Sequence, residues 1–343
     1  MSLFWFIVII GVSIFVHELG HYLAARLQGV RVPVFSIGFG PAIFRFYAAG
    51  TEWRIALIPL GGFALIEGMA EEPGEEPKGY AKLPFWGKVA VLLGGVFMNL
   101  LLAWLLLAYV FHVQGVPKPI ETEAQIIEVL PGSLAEQVGL KPGDVVVAID
   151  GEPLKHYTDL GKIKERPGKH TLTVRRGDEI LTLELVWKPE YGQIGIRYGP
   201  RVEVQKLPYW QALGYAVTFS LKILPEMAKS FVLGIAGLLV GKPSSDLVGP
   251  VGIVSLTGEA ARQGPVALAQ LTATINLSLA VFNLLPIPGL DGGRLFLLIL
   301  RRILGRRFTP EKEALLNLMG LAFVFLLLIL ITFRDLARLF GGG

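Results

Sequence analysis

The chain has 343 residues, of which 52% are hydrophobic, with a mean hydropathy of +0.56 and a formal net charge of +4. Such an apolar composition excludes an ordinary soluble protein and predicts a polytopic membrane protein with room for one soluble module. The absence of cysteine excludes disulfides, thiolate metal sites and cysteine nucleophiles, so a bound metal must use His, Asp or Glu. The small positive charge lies mostly in particular loops, which indicates membrane topology and not nucleic-acid binding.

Residues 3–27 are predicted to form the first transmembrane helix, retained because no basic leader or persuasive cleavage site accompanies it. This helix contains the sequence HELGH, with His17, Glu18 and His21. Residues four apart share a helix face, so the two imidazoles can bind one metal while Glu18 faces the attacking water. A chance HExxH is common in soluble helices. Three ionisable groups within hydrocarbon are costly, however, and indicate a functional site.

Residues 30–67 are predicted to form a membrane-associated antiparallel sheet, with β-prone runs at 43–47 and 53–58 joined by a turn. The region is too apolar for water, and open sheet edges cannot face lipid. We therefore expect the sheet beside the first span, where protein or a water-filled cavity satisfies its backbone. The alternative is an amphipathic hairpin in the interface with no part in chemistry.

A loop rich in Glu, Pro and Gly at 71–78 precedes the second predicted span, residues 88–113. The Gly94-Gly95 pair in this span is expected to allow close helix packing. Asn99 is interpreted as the partner in an interhelical hydrogen bond, with a place in the functional site as the alternative.

Residues 121–204 have the composition of a soluble β-rich domain inserted between membrane segments. The sequence from Pro131 to Leu154, PGSLAEQVGLKPGDVVVAIDGEPL, resembles a PDZ domain of the bacterial protease-associated type. Such domains add an extended peptide to a sheet edge; a steric role without peptide binding is the alternative. The β-prone runs of this domain are Ala124–Leu130, Val145–Ile149, His170–Arg175 and Ile180–Trp187.

Residues 207–246 are expected to form amphipathic helices in the membrane interface, bent at Pro225 and ending in a polar turn at 242–246. Lys222, Glu226 and Lys229 would be costly near the middle of a span. The sequence VGPVGI at 248–253 is expected to interrupt regular structure.

The third and fourth spans are predicted at residues 265–285 and 313–333, the latter followed by a short tail. Between them, prolines interrupt a helix at membrane depth before the LDG motif at 290–292. An unpaired Asp291 would be costly there, whereas a metal ligand is stabilised by its cation. His17, His21 and Asp291 are therefore predicted to bind one catalytic zinc ion, with Glu18 as the base that activates water for peptide hydrolysis.

Basic residues concentrate in the loops between spans one and two and between spans three and four. The positive-inside rule places both loops in the cytoplasm. The inserted domain is then extracytoplasmic, and HELGH lies toward the cytoplasmic side. The predicted fold class is thus a four-span helical membrane protein with a membrane-associated sheet and an external β-rich domain.

Several motifs, in this order along the chain, resemble the site-2 protease family, specifically bacterial RseP-like intramembrane zinc metalloproteases. They are HELGH, GFG at Gly38 to Gly40, the single PDZ-like insertion, GPVGI at Gly249 to Ile253, and NLLPIPGLDGG at Asn283 to Gly293. The resemblance likewise implies zinc binding by His17, His21 and Asp291 and catalysis by Glu18. Substrate-binding residues are predicted to be Asn283, Gly62, Gly38 and Gly40, with ordinary helix packing as the alternative for Asn283.

The resemblance also implies a substrate class and a location. Substrates would be single-span membrane proteins, such as anti-sigma factors already trimmed by an upstream protease, or remnant signal peptides, cleaved in the bacterial inner membrane. RseP-type enzymes have two tandem PDZ domains, whereas residues 121–204 have room for one. The alternatives are a catalytically silent PDZ-bearing membrane scaffold, which has no need of Asp291, and a transporter, against which no inverted repeat is evident.

Overall fold

The computed structural model describes residues 2–69, 76–241, 248–305 and 309–340. The predicted polar turn at 242–246, most of the acidic loop at 71–78 and the basic residues Arg306 and Arg307 lie outside these ranges. The chain divides into two compact units. One comprises Met1–Val113 with Pro208–Gly343, and the other is Gln114–Leu207.

The helices, in chain order, are α1 Ser2–Leu27, α2 Phe85–Gln114, α3 Leu134–Gln137, α4 Tyr209–Leu239, α5 Pro250–Gln263, α6 Pro265–Leu284, α7 Asp291–Leu304 and α8 Pro310–Phe340. The strands are β1 Val34–Ala48, β2 Thr51–Leu65, β3 Val116–Val129, β4 Val145–Ile149, β5 Glu152–Pro153, β6 Gly168–Arg176, β7 Glu179–Trp187 and β8 Ile196–Gln205. Short 3₁₀ helices occupy Gly79–Lys82, Tyr157–Glu165 and Pro189–Tyr191.

Within the described ranges, four helices are long and apolar enough to cross a membrane. Their membrane-compatible stretches are Ser2–Leu27, Phe85–Gln114, Pro265–Leu284 and Glu311–Ala337, within α1, α2, α6 and α8. About 20 apolar residues suffice to span the hydrocarbon core, and each stretch has at least 20 residues. The chain is therefore a membrane protein, as its composition predicts.

The first β region is a hairpin whose turn uses Ala49 and Gly50, both with positive φ, +53° and +75°. Residues 42–48 pair with 51–56 across this turn. The start of β1, residues 34–37, pairs on one side with 52–55 and on the other with 62–65. The two strands therefore form a sheet four segments wide, with 42–48 and 62–65 at its edges. β1 and β2 are longer than the β-prone runs predicted at 43–47 and 53–58, because the irregular segment in the middle of each strand also pairs with the neighbouring strand.

The prediction of separate helices in 207–246, bent at Pro225, is wrong in one respect. Residues Tyr209–Leu239 form one continuous 31-residue helix with Pro225 inside it, about 46 Å long. Proline removes one backbone hydrogen bond, and packing against neighbouring helices offsets that loss. Here Tyr215 contacts Phe111 of α2, and Phe231 contacts Phe282 of α6, with ring centroids 5.0 and 5.9 Å apart. The interfacial position of α4 stays a prediction.

The interruption expected at 248–253 is confined to Val248 and Gly249, and the tail expected after residue 333 is wrong, because those residues continue α8. Pro250 begins α5, a position where a missing N–H costs nothing. The Asp335 carboxylate accepts a hydrogen bond from the Gly252 N–H at 2.9 Å. Asp335 is buried and lies within α8, which continues to Phe340. A carboxylate at a helix N-terminus satisfies a free donor, so the end of α8 supports the start of α5.

The second unit is a sheet with strand order β7-β6-β4-β3-β8, to which β5 adds by pairing with β4. The four predicted β-prone runs lie in β3, β4, β6 and β7, or reach one residue beyond. Its core is apolar and is built from Ala124, Ile126, Ala135, Leu140, Val146, Leu154, Leu160, Ile163, Leu172, Val174, Leu185, Trp187 and Ile194. This unit therefore has a hydrophobic core of its own.

Candidate metal centre

His17 and His21 lie one turn apart on α1 and face the same point. Their Nε2 atoms are 3.2 Å apart, and the rings meet edge to face with centroids 4.8 Å apart. The i, i+4 spacing places both side chains on one face of the helix. His21 is buried, with 6% of its surface exposed, so this point lies inside the protein.

Asp291, the first residue of α7, brings a carboxylate to the two imidazoles. Its Oδ2 lies 3.2 Å from His17 Nε2 and 3.3 Å from His21 Nε2. The preceding loop is held by α8, where Asn317 Oδ1 accepts a hydrogen bond from the Gly289 N–H at 3.1 Å. Gly292 and Gly293 pack directly against backbone carbonyls of the same loop, so a side chain at either position would displace Asp291.

Two features of the three groups fit a bound metal ion: the spacing of their ligand atoms, and the absence of a hydrogen bond to Asp291 Oδ2 within the described residues. Each offers one ligand atom, and the three atoms lie within 4.8 Å of one another. Tetrahedral N and O ligands at about 2.0–2.2 Å from an ion are separated by about 3.3–3.6 Å, close to the observed pairs. Asp291 Oδ2 is buried and accepts no hydrogen bond within the described residues. A cation at the shared point would satisfy this oxygen and both nitrogens.

Helix α2 forms the wall behind the imidazoles. The Val91 carbonyl lies 2.8 Å from His21 Nδ1, and the Asn99 amide nitrogen lies 3.3 Å from His17 Nδ1. Between them, a side chain on Gly95 would collide with both rings. Gly94 packs against the backbone of Gly20 on α1, so the predicted close packing at the glycine pair is present and also leaves space for the imidazoles.

Glu18 is held by the edge of the sheet formed by β1 and β2. Its Oε2 accepts a hydrogen bond from the Ala64 N–H at 3.0 Å. Gly62 lies in the same edge segment, where an added Cβ would stand 2.8 Å from Ser36 O and 2.9 Å from Ile14 Cγ2. The edge segment 62–65 therefore runs along α1 beside Glu18, and Gly62 permits its close approach.

The other predicted substrate-binding residues are Gly38, Gly40 and Asn283, and within the described residues none of them is hydrogen-bonded to the three ligand atoms. Gly38 and Gly40 adopt positive φ, +87° and +88°, in the irregular part of β1, where their nearest neighbours include Ile58. Asn283 is half-buried near the end of α6. The Asn283 side chain makes no hydrogen bond in the part of the chain that the structure describes.

Two contributors to the site had weak or no sequence signals. The sequence predicts Asn99 as an interhelical hydrogen-bond partner, with a place in the functional site as the alternative. Asn99 does bridge α2 and α1, and its partner is His17 itself. A buried Asn in a glycine-containing span was the available signal. The Val91 carbonyl is a backbone group, which no residue pattern reveals.

Comparison with known proteins agrees with this geometry. Residues 5–327 match the sequence model of a protein family that is described as peptidase family M50. A protein of Fusobacterium nucleatum, provisionally assigned as a zinc metalloprotease, is 34% identical over 98% of each chain. The regulator of sigma-W protease RasP of Bacillus subtilis is 29% identical over 98% of each chain. A Nostoc protein, also a provisionally assigned zinc metalloprotease, is 34% identical over 89% of this chain and 88% of its own.

These matches confirm the resemblance to site-2 proteases that the motifs indicate. They cover α1 and α7, which supply His17, His21 and Asp291, together with the intervening unit. The chain belongs to peptidase family M50.

Proposed function

We propose that this protein is an intramembrane zinc metalloprotease that cleaves single-span membrane proteins. The observation that carries the proposal is the convergence of His17, His21 and Asp291 on one point inside a bundle of apolar helices. Zinc is the metal named for the relatives. It suits two imidazoles and a carboxylate, with one position left open in a catalytic site.

The residues divide the chemical work. His17, His21 and Asp291 would hold the zinc ion. When bound, the ion supplies Lewis acidity that polarises the scissile carbonyl and makes water nucleophilic at neutral pH. Glu18 accepts a proton from the attacking water at its carboxylate and passes it to the leaving amine. The Ala64 N–H orients that carboxylate through the 3.0 Å hydrogen bond to Oε2.

The edge segment 62–65 could bind the substrate in an extended conformation beside Glu18. A membrane-spanning helix hides its scissile carbonyl in its own hydrogen bonds and must be unwound before hydrolysis. An unwound segment can pair with a sheet edge as an added strand, and this edge runs beside Glu18. Gly62 would let the substrate backbone approach. Gly38 and Gly40 would shape the sheet, and Asn283 would hold substrate backbone or stabilise the oxyanion.

The substrate class follows from the family resemblance and from one relative. The Bacillus subtilis relative is named a regulator of sigma-W protease, which supports a regulatory membrane protein as substrate here. Trimmed anti-sigma factors and remnant signal peptides are the proposed substrates, with cleavage following an upstream protease in regulated intramembrane proteolysis.

The unit Gln114–Leu207 is proposed to be the single PDZ domain. Its support is the PGSLAEQVGLKPGD sequence, with Ser133 capping α3 through the Glu136 N–H at 3.3 Å. By the positive-inside rule, the basic loops support a position of this domain outside the bacterial cytoplasmic membrane and a position of Glu18 toward the cytoplasmic side. There it would exclude untrimmed substrates, with or without binding a peptide at a sheet edge.

The proposal is tested with purified full-length chain in lipid vesicles with a single-span reporter. Glu18→Gln should keep one zinc per chain and slow cleavage by about 10²- to 10⁴-fold, the usual contribution of a general base. Glu259→Gln is the matched control, since Glu259 lies on α5 with its Oε1 bonded to Gln263. Cleavage by Glu18→Gln at the wild-type rate, or wild-type protein without zinc, would overturn the proposal.

A further inference from the structure

Asn99 is a polar side chain in an unusual position. It is fully buried, with 0% of its surface exposed, in the span α2. Its amide nitrogen lies 3.3 Å from His17 Nδ1, while its amide oxygen is buried without a partner among the described residues. Burying a carboxamide in an apolar helix is unfavourable unless it is hydrogen-bonded, so the contact with His17 is the feature that needs an explanation.

The second histidine shows what such a contact achieves. His21 Nδ1 lies 2.8 Å from the Val91 carbonyl, and a carbonyl only accepts hydrogen bonds. The His21 proton therefore resides on Nδ1, and its Nε2 presents a lone pair toward Asp291. The backbone of α2 thus fixes this ring in the tautomer that binds a metal through Nε2.

His17 has the same requirement but faces a side chain. To bind a metal through Nε2, its proton must lie on Nδ1, which then needs an acceptor. In the described structure Asn99 is the hydrogen-bond partner of that nitrogen. The oxygen and nitrogen of a carboxamide have nearly the same shape, and their assignment follows from the hydrogen bonds they make. With its oxygen toward Nδ1, Asn99 accepts a hydrogen bond from the His17 Nδ1–H.

We propose that Asn99 is a positioning residue that holds His17 as the Nδ1–H tautomer, so that Nε2 is available to the metal. This inference rests on the proposed zinc site. Val91, Gly95 and Asn99 follow one another at intervals of four on α2, which places them on one face. That face supplies an acceptor for each imidazole, with space between the acceptors for both rings.

The test compares three variants of the full-length protein. Asn99→Leu removes the acceptor at similar volume, and Asn99→Asp keeps an acceptor oxygen without the amide N–H. Asn276→Leu is the matched control: Asn276 is also 0% exposed in a span, and its amide donates to Ser13 Oγ at 2.9 Å and not to a histidine. The measurements are zinc affinity by chelator competition, the Co²⁺ absorption spectrum and melting of the metal-free protein.

Asn99→Leu should weaken zinc binding by about 10- to 100-fold, as loss of a ligand's hydrogen-bond partner does, and should alter the Co²⁺ spectrum. Asn99→Asp and Asn276→Leu should bind zinc nearly as wild type does. Wild-type affinity in folded Asn99→Leu, equal weakening in Asn99→Asp, or equal weakening in Asn276→Leu would each overturn the inference. Absence of zinc from wild-type protein would instead overturn the proposed function.

Discussion

Asp144 in the second unit and Asp291 in the membrane unit are both largely buried, and their carboxylates are satisfied in different ways. Asp144 in the second unit has 1% of its side chain exposed and meets Arg176 with both oxygens, at 2.7 and 2.8 Å. Asp291 in the membrane unit is 13% exposed and meets two imidazole nitrogens, while its Oδ2 accepts no hydrogen bond within the described ranges.

The difference separates a structural carboxylate from a ligand. Burial acts to raise the pKa of Asp144, but Arg176 and the Lys141 N–H outweigh burial and hold that pKa below its usual range. Arginine is a permanent cation, so this pair is complete by itself. Imidazoles that present lone pairs to a carboxylate neither donate hydrogen bonds to it nor neutralise its charge. A cation bound by both imidazoles and the carboxylate does neutralise that charge. Asp144 therefore stabilises a fold, and Asp291 is suited to holding an ion.

Among substitutions that replace no metal ligand, Gly95→Ala should have the largest effect on the metal site. Its methyl group would occupy the space of both imidazole rings, so zinc affinity should fall by about 100-fold. Chelator competition measures the change. Gly11→Ala is the control, because a Cβ on Gly11 of α1 meets nothing within 4 Å. Wild-type zinc affinity in folded Gly95→Ala would show that α2 does not shape the site.

Ala64→Pro should have a smaller effect, limited to the cleavage rate. It removes the N–H that donates to Glu18 Oε2, and an edge strand tolerates proline when that N–H points outward. Losing a hydrogen bond to a charged group should slow cleavage by about tenfold, with zinc content unchanged. Ala64→Val adds bulk but keeps the N–H. If the two variants cleave the reporter equally fast, the backbone donor does not orient Glu18.

The smallest predicted effect is the pH dependence of Asp144. Its pKa is lowered in the folded chain, so its stabilising contribution is present above the unfolded value of about 3.9 and is lost as pH falls toward the folded value. The melting difference between wild type and Asp144→Asn should be constant near neutral pH and shrink below about pH 4. A difference that grows on acidification would contradict the assignment of Arg176 as its compensating partner.

The sequence was informative where chemistry or hydropathy is local. His17 and His21 share a helix face by spacing alone, and Asp291 is predicted as a ligand because an uncompensated carboxylate is costly at membrane depth. The four apolar helices follow from composition. The β-prone runs of the second unit predicted four strands, because period-two patterns and turn residues are local properties.

The predictions are wrong where a contact between residues far apart in the sequence decides the structure. Helix α4 continues through Pro225 because aromatic contacts with α2 and α6 support it. Helix α5 starts at Pro250, where Asp335, 83 residues from Gly252, satisfies its N-terminus. The four-segment sheet depends on residues 34–37 pairing on both sides. No residue pattern within a short window contains these partners.

The most direct test of the contrast between the two aspartates is metal analysis and melting of the full-length wild type, Asp291→Asn and Asp144→Asn. Wild type should contain one zinc per chain. Asp291→Asn should lose the zinc and melt like metal-free wild type, whereas Asp144→Asn should keep the zinc and lose about 2 kcal/mol of stability from its broken ion pair. Full zinc content in Asp291→Asn would contradict the assignment of Asp291 as a metal ligand.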